Sequence, residues 1–153
     1  MSNKPRGAAL RGVVQSMISA YGRGMKRFQL ASPLGALGEE LASRYLKDKG
    51  YQILATNYCN VKGKRLGEID IVAEYQGELV FVEVKSRLKG ADGDVLPEAG
   101  ITRDKLRKLA RIAECYLRET KRENTQYHFD GIAILYDPVQ KKAQIRHLEH
   151  IFF

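Results

Sequence analysis

The stretch Glu68-Ile69-Asp70-Ile71-Val72-Ala73-Glu74-Tyr75-Gln76-Gly77-Glu78-Leu79-Val80-Phe81-Val82-Glu83-Val84-Lys85 reads as a β-hairpin. Two apolar-rich runs, 68–74 and 79–85, flank a short connection that contains glycine, the usual signature of a tight hairpin turn. With Gln76-Gly77 as a two-residue turn, Tyr75 faces Glu78, and every further pair follows. Asp70 then falls opposite Glu83, and Glu68 opposite Lys85. Directly opposed residues of antiparallel strands share a face, with side chains about 5 Å apart. Residues two apart along a strand also share a face. Asp70, Glu83 and Lys85 are therefore expected to project together, with Arg87 continuing that side if the strand persists.

Two opposed carboxylates repel each other and destabilise a sheet. A divalent cation removes that penalty, and carboxylate oxygens completed by water and phosphate suit Mg²⁺, with Mn²⁺ as its substitute. A metal held by Asp70 and Glu83 polarises a phosphoryl oxygen and lowers the pKa of bound water. A lysine beside it supplies positive charge where negative charge grows. The bland alternative is a solvated strand face, with Glu68–Lys85 an ordinary cross-strand ion pair worth under ~1 kcal/mol.

Working outward, Pro33 opens a helix with Ser32 as its cap. Leu34, Leu37, Leu41, Tyr45 and Leu46 recur at helical spacing, and Gly50 stops the run. Glu39 edges toward the buried side of this helix. Its spacing alone does not choose between a site role and simple placement near a positive helix N-terminus. Residues 51–58 read as a strand, followed by the basic turn 60–65. Residues 86–100 read as a long loop, in which Asp92-Gly93-Asp94 is an ordinary turn rather than a calcium loop. Thr102 caps a second helix running to about Lys121, with Leu106, Leu109, Ile112, Ala113, Tyr116 and Leu117 as its apolar stripe. A strand over 127–136 ends at Asp137-Pro138, and 143–148 reads as a last strand. A meander followed by strand–helix–strand implies a mixed sheet with helices packed on it.

The 153 residues are expected to form one globular domain, 33–153, preceded by a flexible basic arm, 1–32. Lys4, Arg6, Arg11, Arg23, Lys26 and Arg27 all precede the first acid, Glu39, so most of the net charge of +8 sits at the N-terminal end. Such an arm suits nucleic-acid binding and equally suits a solvated leader. Arg87, the turn residues Lys62, Lys64 and Arg65, and Lys105 on the basic second helix are candidates for gripping a phosphate backbone. Cys59 and Cys115 make no disulfide framework, and His128, His147 and His150 lack zinc-ligand spacing. No apolar run is long enough to cross a bilayer, so no membrane partner is expected and a cytoplasmic location is the simplest reading.

Several of these stretches together resemble one family. Gly35-Ala36-Leu37-Gly38-Glu39, with Ala42 and Tyr45-Leu46, resembles the opening helix of the YraN-like uncharacterised bacterial family. That family lies in the PD-(D/E)xK, or restriction endonuclease-like, nuclease superfamily and is similar in fold to archaeal Holliday-junction resolvases. Ile53-Leu54-Ala55-Thr56-Asn57 resembles its first strand. Gly67-Glu68-Ile69-Asp70-Ile71-Val72 and Leu79-Val80-Phe81-Val82-Glu83-Val84-Lys85-Ser86-Arg87 resemble its two central motifs. Lys105, Leu109 and Ala113 resemble its second helix, and Phe129-Asp130 the start of a core strand. The resemblance covers residues 34–153 and implies an α/β fold with an αβββαβ core. It also implies that Asp70 and Glu83 hold the metal with help from the Val84 carbonyl. Lys85 would orient the attacking water, and Glu39 would be an additional ligand. The implied activity is cleavage of DNA, with branched or repair intermediates as candidate substrates. Resolvase-like action on a symmetric junction would imply a homodimer. The alternatives are a catalytically silent nucleic-acid-binding or adaptor protein, and a purely structural partner protein.

Overall fold

The computed structural model describes residues 33–90 and 101–151. The basic arm, the Ser32 cap and the Asp92–Asp94 turn lie outside the described residues. Helix α1 spans Pro33–Asp48, strand β1 Gln52–Tyr58, β2 Ile69–Tyr75 and β3 Glu78–Leu88. Helix α2 spans Arg103–Glu119, β4 Tyr127–Asp137 and β5 Lys142–Leu148. The αβββαβ order implied by the sequence is the observed one, extended by β5.

The five strands form one sheet in the order β1-β2-β3-β4-β5. Only β3 and β4 run parallel, joined by the crossover through α2; the other pairs are antiparallel. Local signals explain the element ends. α1 stops at Gly50, whose φ of +93° suits a residue without Cβ. There Tyr51 N–H donates to Leu46 O and Gly50 N–H to Lys47 O, both at 3.0 Å, the paired bonds of a Schellman motif. Gln76 (φ +52°) and Gly77 (φ +85°) make the tight β2–β3 turn, and the register runs from Tyr75↔Glu78 to Ile71↔Val82 as expected. Thr102 caps α2 by accepting from Lys105 N at 3.4 Å.

Two points differ from the sequence expectation. Ser86, Arg87 and Leu88 continue β3 rather than opening a loop. Parallel pairing with β4 reaches as far as Leu88↔Tyr136, and so carries polar residues that have no strand signal of their own. The charged side of the β2–β3 hairpin is also not simply a solvent face. Val72, Leu79 and Phe81 pack with the α2 stripe, while Ile71, Val80, Val82 and Val84 pack with α1 on the opposite side. Burial on both faces explains the almost continuous apolar run from Leu79 to Val84. Among the described residues no helix is long and apolar enough to cross a membrane. Cys59 and Cys115 are free thiols.

Candidate metal centre

The centre lies where β2 and β3 separate. Regular pairing ends at Ile71↔Val82, one pair short of Asp70 and Glu83. Asp70 does not complete a ladder step with Glu83. Its Oδ2 instead accepts from the Val84 backbone N–H at 2.6 Å. Glu83 stays in register with β4 through Gly131. A Cβ on Gly131 would come within 2.6 Å of Ile101 Cδ1, so glycine there lets the segment before Thr102 lie against the sheet. That placement brings the first turn of α2, and with it Lys105, over Glu83.

Asp70, Glu83 and Lys85 line one cavity of about 250 Å³, together with Glu68, Lys105 and Lys108 and the apolar walls Leu66, Leu109 and Ile112. Glu83 Oε1 meets Lys85 Nζ at 2.8 Å and Lys105 Nζ at 3.7 Å. Glu68 pairs with Arg65 at 2.9 Å and not with Lys85, so the expected Glu68–Lys85 cross-strand bridge is not formed. Lys85 is drawn inward because Glu83 lies two residues away on the same face, whereas Glu68 has already left the strand.

The electrostatics are those of a buried acid beside a lysine-paired one. Burial, then the charge of Glu83, pushes the Asp70 carboxyl up from 3.8 to about 7; the Val84 N–H opposes the shift and the charge of Glu39 adds to it. Burial works against the Lys85 ammonium, yet its bond to Glu83 and the charges of Glu83 and Asp70 hold it above its ordinary value. Lys105 is lowered, first by burial and then by neighbouring Lys85.

Glu39 does not line the cavity, though its charge is felt at Asp70; it is carried on α1, which packs closely on β3. A Cβ on Gly38 would overlap Ser86 Oγ at 1.7 Å, so α1 packs directly on β3 there. Glu39 Oε2 accepts from Asn57 Nδ2 at 3.0 Å. Arg87 is on β3, two residues beyond Lys85 and half-buried. Lys64 is exposed, and Arg65 meets the cavity only through Glu68. Lys62 is not brought to the acidic cavity. It lines a separate hollow with Val61, Cys115, Arg118 and Glu119. Glu119 anchors the basic turn, accepting from Tyr58 Oη at 2.5 Å and from Val61 N–H at 3.0 Å. Nothing in the sequence links Glu119 to that turn, because the contact spans 58 residues. Lys108 was legible, since residues three apart on a helix share a face and Lys105 was already a candidate.

The donor set suits a hard divalent ion. Among the described residues no three Asp, Glu, His or Cys side chains form a ready ligand group. Asp70 and Glu83 supply two carboxylates, and Mg²⁺ is commonly bound by one or two carboxylates plus waters and phosphate oxygens. The raised carboxyl of Asp70 marks a buried acid whose ionisation is opposed first by burial and then by the charge of Glu83.

The model of the uncharacterised protein family UPF0102 matches residues 38–134, a span that contains Glu39, Asp70, Glu83, Lys85 and Lys105. The chain belongs to the UPF0102 family. A UPF0102 protein of Alkaliphilus oremlandii is 40% identical over 121 residues, 78% of this chain and 97% of that protein. A UPF0102 protein of Pseudothermotoga lettingae is 44% identical over 96 residues, 63% of this chain and 82% of its own length. Among solved structures, this UPF0102 chain is similar to a fdxN element excision controlling factor from Anabaena variabilis. The two share 19% sequence identity and a TM-score of 0.40, with 73% of this chain and 98% of that one covered.

Proposed function

We propose that this UPF0102 protein is a metal-dependent endonuclease that hydrolyses phosphodiester bonds in DNA, with branched or repair intermediates as its substrates. The observation that carries the proposal is the convergence of Asp70, Glu83 and Lys85 on one cavity, with the Asp70 carboxyl pushed up to about 7. The PD-(D/E)xK-like motifs in the sequence support it. In this reading Asp70 and Glu83 hold Mg²⁺ or Mn²⁺, with Glu39 as an additional ligand. When bound, the ion polarises a phosphoryl oxygen and makes water a better nucleophile. Lys85, fixed by Glu83, orients the water and places a positive charge beside the oxygens on which negative charge accumulates. Asp70 must give up its proton before it can serve as a ligand, so the centre assembles more completely as pH rises through about 7. Arg87, Lys105 and the turn residues Lys62, Lys64 and Arg65 contact the phosphate backbone, which makes binding salt-sensitive.

The test is a cleavage panel of single-stranded, duplex, flap and four-way DNA with Mg²⁺ or Mn²⁺. Turnover by the wild type should vanish in Asp70→Ala and Glu83→Ala proteins that remain folded by circular dichroism. Equal cleavage by wild type and variants would reject the proposal. Salt-sensitive binding without turnover under either metal would assign an adaptor role instead.

A further inference from the structure

We infer that Lys105 is a placeholder cation: in the metal-free protein its ammonium partly neutralises Glu83, and the divalent ion must displace it in order to bind. The inference rests on the metal-centre reading and adds how that centre is kept closed to ions.

Glu83 is unusually placed for a carboxylate. Its side chain is only 9% exposed, and a single oxygen, Oε1, faces two ammonium groups, Lys85 at 2.8 Å and Lys105 at 3.7 Å. The two lysines differ in origin and in freedom. Lys85 comes from β3, two residues from Glu83, and is 29% exposed. Lys105 arrives from the first turn of α2 and is 44% exposed. The more exposed and more distant group is the one with somewhere to go. Lysine is also suited to such a role, as a compact point charge on a flexible stem. Three cations competing for one carboxylate repel each other, so the arriving ion weakens the Lys105 contact in proportion to its own charge. By reciprocity, Lys105 weakens ion binding by the same factor. Lys85 keeps the shorter contact and stays in the site.

Calorimetric titration with Mn²⁺ separates the outcomes. Lys105→Met keeps the length and apolar stem while removing the charge, and should bind Mn²⁺ roughly tenfold more tightly than the wild type, a change of about 1.4 kcal/mol. Lys105→Arg should stay near wild type. Lys108→Met removes a charge from the same cavity without a Glu83 contact, and so measures the general field effect; its gain should be much smaller. Wild-type binding with no gain in Lys105→Met, or an equal gain in Lys108→Met, overturns the placeholder role and leaves the metal centre standing. If the wild type binds no Mn²⁺ but Lys105→Met does, the placeholder is confirmed in a stronger form. If neither binds, both the placeholder and the metal-centre reading fail.

Discussion

Asp70 is where function and stability oppose each other most directly. Its carboxyl titrates at about 7 in the folded chain against 3.8 without the fold, with burial as the first cause and Glu83 as the second. Between those values the folded state holds a proton that the unfolded state has lost. Stability therefore falls as pH rises across that window, and the full penalty applies above about 7. A shift of this size is worth on the order of a few kcal/mol. Asn at position 70 keeps an oxygen for the Val84 N–H but carries no charge. Asp70→Asn should thus raise the melting temperature in chelator by several degrees, at about 2–4 °C per kcal/mol for a chain of this size. The gain should be larger near about pH 8 than near about pH 5. Equal melting curves at both pH values would show that the carboxylate is not under strain. The face shared by Asp70, Glu83 and Lys85 was legible from alternation, because a two-residue turn leaves a single register. The Asp70–Val84 bond was not, because it depends on the strands parting beyond Ile71.

At the scale of elements, Gly38 is the contact that sets α1 on the sheet. Ala at 38 would drive its Cβ into Ser86, whose Cβ lies 2.9 Å and Oγ 1.7 Å from the position it would take. Gly38→Ala should cost about 1–3 kcal/mol in chemical denaturation, the usual penalty of overpacking. Adding Ser86→Gly should recover part of the loss; simple addition of two separate losses would contradict the contact. The α2 stripe was fully legible, and all six of its expected apolar positions are buried. Helical period carries that signal within one segment. The reach of β3 to Leu88 depends on its β4 partner Tyr136, 48 residues later in sequence, and no local pattern announces it. Lys105 illustrates the same limit. Its place on α2 was legible, but its approach to Glu83 follows from the Ile101–Gly131 contact.

Across the whole molecule the sheet carries two buried acidic positions on opposite faces, and they are treated in opposite ways. Asp130, fully buried on the α1 side, accepts from the His150 backbone N–H at 2.9 Å and lies 2.7 Å from His147 Nε2 and 3.4 Å from His128 Nε2. The His128 and His150 rings stack with centroids 4.0 Å apart, so all three histidines of the chain gather around one carboxylate. Their sequence spacing offers no zinc site; their convergence ties β5 and the following residues to β4. That carboxylate has its hydrogen bonds filled from within the chain, as a structural group requires. Asp70 and Glu83 instead border a cavity shared with Lys85, Lys105 and Lys108, where the proposed metal would bind. The most direct test of this contrast is a crystal grown with Mn²⁺ and examined for anomalous scattering. A peak is expected at the cavity lined by Asp70 and Glu83, absent from the Asp70→Ala protein. A peak at the Asp130 cluster alone, or none at the 70–83 cavity at saturating Mn²⁺, would contradict it.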